Sequence, residues 1–234
     1  MTSRHQVGTL GEKPLHASLK RWYARDGDLI EEPVDGFVID LVRDGLLIEI
    51  QTRGFSAMKR KLAKLLDAHA VHVVYPIPIE KWIVKLDDDG VEASRRKSPK
   101  KGTAVNLFEE LVSFPEHIAH PGFTLEVLLI REEEVRRFDG NKSWRRKGWA
   151  SEERRLVEVV DSVIVDSPEA LASFLPDELS TEFTTADLAE ATDTPRRLAQ
   201  QVAYCLRGAG VIDMVGKEGN AILYSRREQR QGSS

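Results

Sequence analysis

The chain of 234 residues is 41% hydrophobic and 31% charged, with a net charge of −4, which suits a soluble globular protein of one large domain or a main and a small one. No apolar run approaches the roughly 20 residues that cross a bilayer as a helix, and the opening MTSRHQVGTLGEKP lacks an apolar secretory core, so neither a membrane span nor an export signal is expected. The single cysteine, Cys205, excludes an internal disulfide framework and a cysteine-rich zinc module, and the expected compartment is the cytoplasm.

In chain order, Thr9 to Arg25 reads as a helix. Leu15, Leu19, Trp22 and Tyr23 form its apolar stripe, and Glu12, His16 and Lys20 recur at i, i+4, i+8 on another. After Asp26-Gly27-Asp28 comes a short extended piece, Leu29 to Val34. A compact hairpin follows, with arms GFVIDLV and LLIEIQT around a turn at Arg43-Asp44-Gly45. Its strands are apolar on both faces, as central strands are. Phe55 to His69 has the period of an amphipathic helix, with Phe55, Met58, Leu62, Leu65 and Leu66 inward and Lys59, Arg60, Lys61 and Lys64 outward. AVHVVYPIP reads as a strand ended by prolines, and EKWIVKL as another.

A basic loop, Arg95 to Gly102, leads to a helix at Ala104 to Ser113 and a strand, FTLEVLLI. A polar segment with Trp144 and Trp149 precedes the apolar RRLVEVVDSVIV. These elements read as an extension of the same sheet, in an α/β or α+β core with a mixed sheet. From Ser167 the character changes. Three short helical segments start at Ser167, Thr184 and Thr194-Pro195, and VIDMVGKEGNAILYSR reads as a hairpin turning at Lys217 to Asn220. Three helices followed by a two-stranded wing form the winged-helix arrangement, a variant of helix-turn-helix. The expected division is residues 1–165, 166–225 and a disordered tail, 226–234.

The chemistry concentrates in the first hairpin. Asp44-Gly45 is the favoured pair for a two-residue type I′ turn. Counting back from it pairs Asp40 with Glu49 and Val38 with Gln51, so Asp40, Glu49 and Gln51 share one sheet face. Two carboxylates opposite one another on buried strands repel and carry a desolvation cost. A divalent cation between them removes the conflict, and oxygen ligands with room for water suit Mg²⁺ or Mn²⁺. The same carboxylates could instead be satisfied by Lys20, His16 or a nearby arginine.

An Asp ending one strand and a Glu-x-Lys on the next, followed by a helix and a strand, is the signature of the PD-(D/E)xK nucleases, which often carry a Glu in the first helix. Asp40, Glu49-Ile50-Gln51 and Glu12 stand at the matching positions, and the αβββαβ order matches over roughly Thr9 to Pro76. The chain thus resembles that superfamily. The resemblance implies a restriction-endonuclease-like core at about 9–86, with an extension over 87–165, that hydrolyses DNA phosphodiesters. Asp40, Glu49 and the Ile50 carbonyl would hold Mg²⁺ or Mn²⁺. Gln51 departs from the usual lysine. It could orient water but adds no charge, and Lys20, two turns along the stripe from Glu12, is a candidate substitute. Glu12 could support a second metal. Many such nucleases form homodimers.

Basic segments supply candidate DNA contacts. Distant charge is screened beyond about 10 Å, so a local basic face can bind phosphate on an acidic protein. Arg53, Lys59, Arg60 and Lys64 follow the hairpin. Arg95, Arg96, Lys97, Lys100 and Lys101 fall in the first basic loop. Arg145, Arg146 and Lys147 lie beside Trp144 and Trp149, which could stack on bases. Arg196, Arg197, Gln200 and Gln201 open the third C-terminal helix, where a recognition helix presents its side chains, and Lys217 lies in the wing. Each set also reads as a solvated face. The reading is a metal-dependent deoxyribonuclease. Its alternatives are a nuclease-like DNA-binding regulator or adaptor without turnover, and an α/β domain whose Asp40 and Glu49 are ordinary paired carboxylates.

Overall fold

The computed structural model describes residues 13–139 and 148–227. They fall into two compact units, neither of which is one continuous stretch of chain. The first comprises Met1–Arg53, Val73–Ala104 and Val127–Val163. The second comprises Gly54–His72, Val105–Glu126 and Ile164–Ser234. The change of character at Ser167 therefore marks only part of the division, because two earlier segments belong with the C-terminal helices.

In the first unit, α1 (Pro14–Tyr23) opens on a proline, whose fixed φ and missing N–H suit a first helical turn. Leu15 and Leu19 are buried in a cluster with Leu41, Ile48, Ile50, Val74, Leu128 and Ile130. This is the apolar stripe read from the sequence, except that Trp22 is 52% exposed. β1 (Leu29–Val34), β2 (Phe37–Arg43) and β3 (Leu46–Ile50) form an antiparallel meander. Both of its turns are Asp-Gly pairs with positive φ, at Asp35-Gly36 (49° and 82°) and Asp44-Gly45 (49° and 85°). Both are thus of the type I′ kind that matches strand twist. Arg43 anchors the second turn region, donating to Asp28 through Nε at 2.9 Å and Nη2 at 2.8 Å and to the Tyr23 carbonyl at 2.9 Å. That bond holds the Asp28 carboxyl below its ordinary range, against burial.

Four more strands join the meander: β4 (Val71–Leu86), β5 (Glu92–Lys97), β6 (Phe123–Phe138) and β7 (Trp149–Val165). The sheet has seven strands and is mixed, in the order β1-β2-β3-β4-β6-β7, with β5 paired to β4. The segments Ala70 to Pro78 and Glu80 to Leu86, expected as two strands, are one strand of 16 residues. Pro76 and Pro78 fall between Val74, whose carbonyl accepts from Gln51 N–H at 2.9 Å, and Trp82, where pairing with β5 begins. The missing proline donors thus cost the ladder little. The expected basic loop is also corrected, because Arg95, Arg96 and Lys97 lie in β5.

The second unit contains α2 (Lys59–Leu66), preceded by a 3-10 turn at Phe55–Met58, and α3 (Phe108–Leu111). α4 (Pro168–Ala172), α5 (Thr185–Ala191) and α6 (Arg196–Gly208) complete its helices. Ser167 caps α4 by accepting from Ala170 N–H, and Thr184 with Asp187 forms a full capping box on α5. β8 (Glu182–Phe183), β9 (Ile212–Glu218) and β10 (Ala221–Arg226) make a three-stranded sheet in the order β8-β10-β9. Phe55 stacks on Phe114 at 5.1 Å, and Phe108 meets Phe174 edge-on at 5.2 Å. Cys205 is buried beside the Phe108 carbonyl, and burial pushes its thiol up to about 12, so it is a core residue and not a nucleophile.

Candidate active site

The hairpin register is the one that the turn dictates: Arg43 opposes Leu46, Val42 opposes Leu47 and Leu41 opposes Ile48. One step further the ladder gives way to side-chain chemistry. The Ile50 N–H donates to Asp40 Oδ2 at 2.8 Å instead of to a β2 carbonyl. The same oxygen lies 3.2 Å from His16 Nε2 on α1. Burial pushes the Asp40 carboxyl up, but the His16 bond and charge, the Ile50 N–H and the charge of Lys20 outweigh it, and the net shift is downward. Asp40 is therefore an ionised carboxylate at neutral pH. Glu49 is 8% exposed, a buried carboxylate on β3.

Helix α1 supplies the other half of the site. Lys20, also 8% exposed, donates to Glu31 at 2.8 Å. Glu31 stands across from Asp40 in β1, between the pairs Ile30–Leu41 and Glu32–Ile39. Its φ of 53° is left-handed, a conformation that costs a non-glycine residue on the order of 1 kcal/mol or more. Glu31 carries no motif and is not legible in the sequence. His16 and Lys20 follow from the helical stripe. Glu12, the remaining member of that stripe, lies outside the described residues.

The oxygen donors of the expected set, Asp40, Glu49 and the Ile50 carbonyl, are hard ligands of the type Mg²⁺ and Mn²⁺ accept, and Mg²⁺ needs only one or two protein carboxylates beside water and phosphate. The donor chemistry fits. Among the described residues no three His, Cys, Asp or Glu side chains converge on one point, so any such ion would be held by two carboxylates, completed by other oxygens.

A second group of charges in the same unit has no counterpart in the sequence reading. Glu132 on β6 is fully buried. Its Oε2 takes Arg154 Nε at 2.8 Å and Nη2 at 2.6 Å, and Lys81 Nζ lies 2.9 Å from Oε1. That lysine contact is a charge pair, since Oε1 has no well-directed hydrogen bond among the described residues. Glu134, 6% exposed, joins through Lys81 at 3.4 Å and Arg136 at 2.9 Å. Arg154 Nη1 also reaches the Thr52 carbonyl at 3.2 Å, directly after Gln51.

The basic candidates are dispersed. Arg53 is exposed just past β3, and Lys59 and Arg60 are exposed on α2, with Lys59 3.8 Å from Glu116. Arg95 pairs with Glu133 at 2.8 Å and lies 4.5 Å from the Trp82 ring, while Lys97 pairs with Glu80. Arg96, Lys100 and Lys101 are exposed. Arg145, Arg146 and Lys147 lie outside the described residues, and Trp149 is engaged by Lys85 at 4.1 Å. On α6, Arg197 and Gln201 border a groove of about 430 Å³ together with Asn106, Glu109 and Glu110. Arg196 and Gln200 are exposed, as are Tyr204 and Arg207, which continue their line at helical spacing and which the sequence reading passed over. Lys217 is exposed in β9.

A model of the family described as Domain of unknown function (DUF8091) matches residues 13–166. An "Uncharacterized protein" of Treponema pallidum (strain Nichols) is 31% identical over 221 residues, covering 94% of this chain and 87% of that one. No solved structure matches.

Proposed function

The chain belongs to the DUF8091 family, and from that starting point we propose that it is a divalent-metal-dependent deoxyribonuclease with a PD-(D/E)xK-type core. The observation that carries this reading is the end of the β2–β3 hairpin. There Asp40 leaves the ladder to reach Ile50 N–H, Glu49 is buried one register step beyond Ile48, and α1 adds His16 and Lys20. Two acidic side chains at the end of this hairpin, beside a histidine and a lysine of α1, are the residue types that a divalent cation and a phosphodiester call for. Asp40, Glu49 and the Ile50 carbonyl would hold Mg²⁺ or Mn²⁺, which would supply Lewis-acid activation of a phosphodiester.

The protein's own groups divide the remaining work. His16 and the Ile50 N–H keep Asp40 ionised and oriented. Lys20 supplies the cation that Gln51 cannot, and Gln51 positions water by hydrogen bonding. The order of the C-terminal elements, α4, the short strand β8, α5, α6 and the β9–β10 hairpin, supports a winged-helix, DNA-binding role. Arg196, Gln200 and Lys217 are its exposed candidates for contact.

A second reading, a nuclease-like DNA-binding regulator or adaptor without turnover, is favoured by the double occupation of Asp40 Oδ2 and by Gln51 in the lysine position. The two separate in a cleavage assay on supercoiled, linear, single-stranded and branched DNA with Mg²⁺ and Mn²⁺. Wild type is compared with Asp40→Ala and Glu49→Ala. Metal-dependent cutting abolished in both variants supports the nuclease. DNA binding with no cutting by wild type supports the regulator, and cutting retained by the variants removes the hairpin from the chemistry.

A further inference from the structure

Burying a carboxylate completely and surrounding it with cations is a poor way to stabilise a sheet. Apolar residues of similar volume commonly do as well or better. The Glu132 group departs from that expectation at one particular place. Arg154 spends two of its nitrogens on Glu132 and the third on the main chain at Thr52. β3 ends at Ile50, so beyond it no regular ladder holds the chain. Two bonds hold the next two residues to other strands: Gln51 N–H donates to the Val74 carbonyl at 2.9 Å, and the Thr52 carbonyl accepts from Arg154 at 3.2 Å.

We infer that Arg154 is a positioning residue for the Asp40–Glu49 site, clamping the chain at Thr52 so that Gln51 is presented in one orientation, and that Glu132 and Lys81 hold its guanidinium in place. The inference rests on the hydrolytic reading of that site. Its chemistry requires an arginine. Only the planar fork can bond Glu132 through two nitrogens and still present a third to a carbonyl on another strand, whereas a lysine ammonium is a point charge on a flexible stem. The five groups Lys81, Glu132, Glu134, Arg136 and Arg154 comprise three cations and two carboxylates. The cluster thus keeps one positive charge in excess, which suits a neighbourhood that receives phosphate.

The test uses the full chain with Arg154→Lys, which keeps the charge opposite Glu132 but loses the fork. Hydrogen exchange at Gln51, whose N–H is bonded to Val74, thermal stability, Mn²⁺ titration and single-turnover cleavage are measured on both proteins. The expected result is exchange at the Gln51 amide about tenfold faster. Tm should lie within about 4 °C of wild type, as for a change near 1 kcal/mol in a chain of this size. The cleavage rate should be about 10- to 100-fold lower with DNA affinity unchanged, the size of effect that a small misplacement produces. Unchanged exchange at Gln51 overturns the clamp whatever the activity. A rate that falls only in step with Tm, or does not fall, overturns the positioning role. If wild type neither cuts DNA nor binds Mn²⁺, faster local exchange in the variant leaves the clamp as a structural feature. The hydrolytic reading, and with it the positioning role, then fails.

Discussion

His117 lies between Phe114, at 5.5 Å, and Phe123, at 6.1 Å, and its Nε2 is buried without a hydrogen-bond partner among the described residues. Burial pulls its pKa below the ordinary imidazole value of 6.5. Glu116 opposes this, while His120 and Lys59 add to it. The folded protein therefore keeps His117 neutral while the unfolded chain protonates near the ordinary value. The linked stability is complete above about pH 6.5 and is lost as pH falls below it. Thermal melts from pH 8 to pH 5 should show wild type losing Tm more steeply than His117→Phe, with the difference between them confined to the acid side. Parallel curves would mean that the imidazole is satisfied in solution. At the site itself, Lys20→Met should lower the cleavage rate about 100-fold, as loss of a preorganised charge does. DNA affinity should stay unchanged, and an equal fall in affinity would instead assign Lys20 to binding. His16 and Lys20 were legible because a 3.6-residue period places them on one stripe. Glu31 was not, since its role depends on which strand lies across from Asp40.

At the scale of elements, the Asp44-Gly45 turn decides the register, from Arg43–Leu46 to Leu41–Ile48, and so which residues of β2 and β3 stand opposite one another. Gly45 has a φ of 85°, and Gly45→Ala should cost about 1–2 kcal/mol and weaken Mn²⁺ binding together with stability. A stability loss with metal affinity intact would show that the register survives without the turn. Helix α6 offers a case where local and tertiary terms disagree in sign. Propensity alone favours alanine over glycine by roughly 1 kcal/mol in a helix. A Cβ on Gly208, however, would stand 2.6 Å from Pro115 Cγ. Overpacking of that kind costs typically 1–3 kcal/mol, so Gly208→Ala should lower Tm. A raised Tm would mean that Pro115 moves aside freely. The strand through Pro76 and Pro78 and the placing of Arg95 to Lys97 in β5 escaped sequence reasoning for one reason. Proline and charge signals describe local preference, whereas strand membership is settled by the neighbour that pairs.

For the whole molecule, the grouping of segments matters more than their order. Phe55 and α2, Phe108 and α3, and the C-terminal helices bury one core together, with Phe108 against Phe174 and Cys205. Cutting the chain at residue 165 should therefore leave residues 1–165 without partners for Phe108 and Leu111, and residues 166–234 without theirs. Both fragments should lack a cooperative melt by circular dichroism and should recover one when mixed or fused. Independent folding of the C-terminal fragment would make it a separable domain, as its composition suggests. Such a shared core is invisible along the chain, because its contacts join positions up to about a hundred residues apart and no periodicity records them.

What the sequence determined by itself was set by interactions within a few residues. Asp44-Gly45 fixed a turn and so a register. Ser167 and Thr184 fixed helix starts, and the apolar periods fixed which faces of α1 and α2 turn inward. The tertiary structure alone decided that Asp40 is shared between His16 and the Ile50 N–H, that Glu132 is buried with Arg154 and Lys81, that α3 packs against α6, and that α2 falls in one unit with the C-terminal helices. Each of these joins groups distant in sequence, and their free energies come from desolvation and geometry that exist only once the strands have assembled.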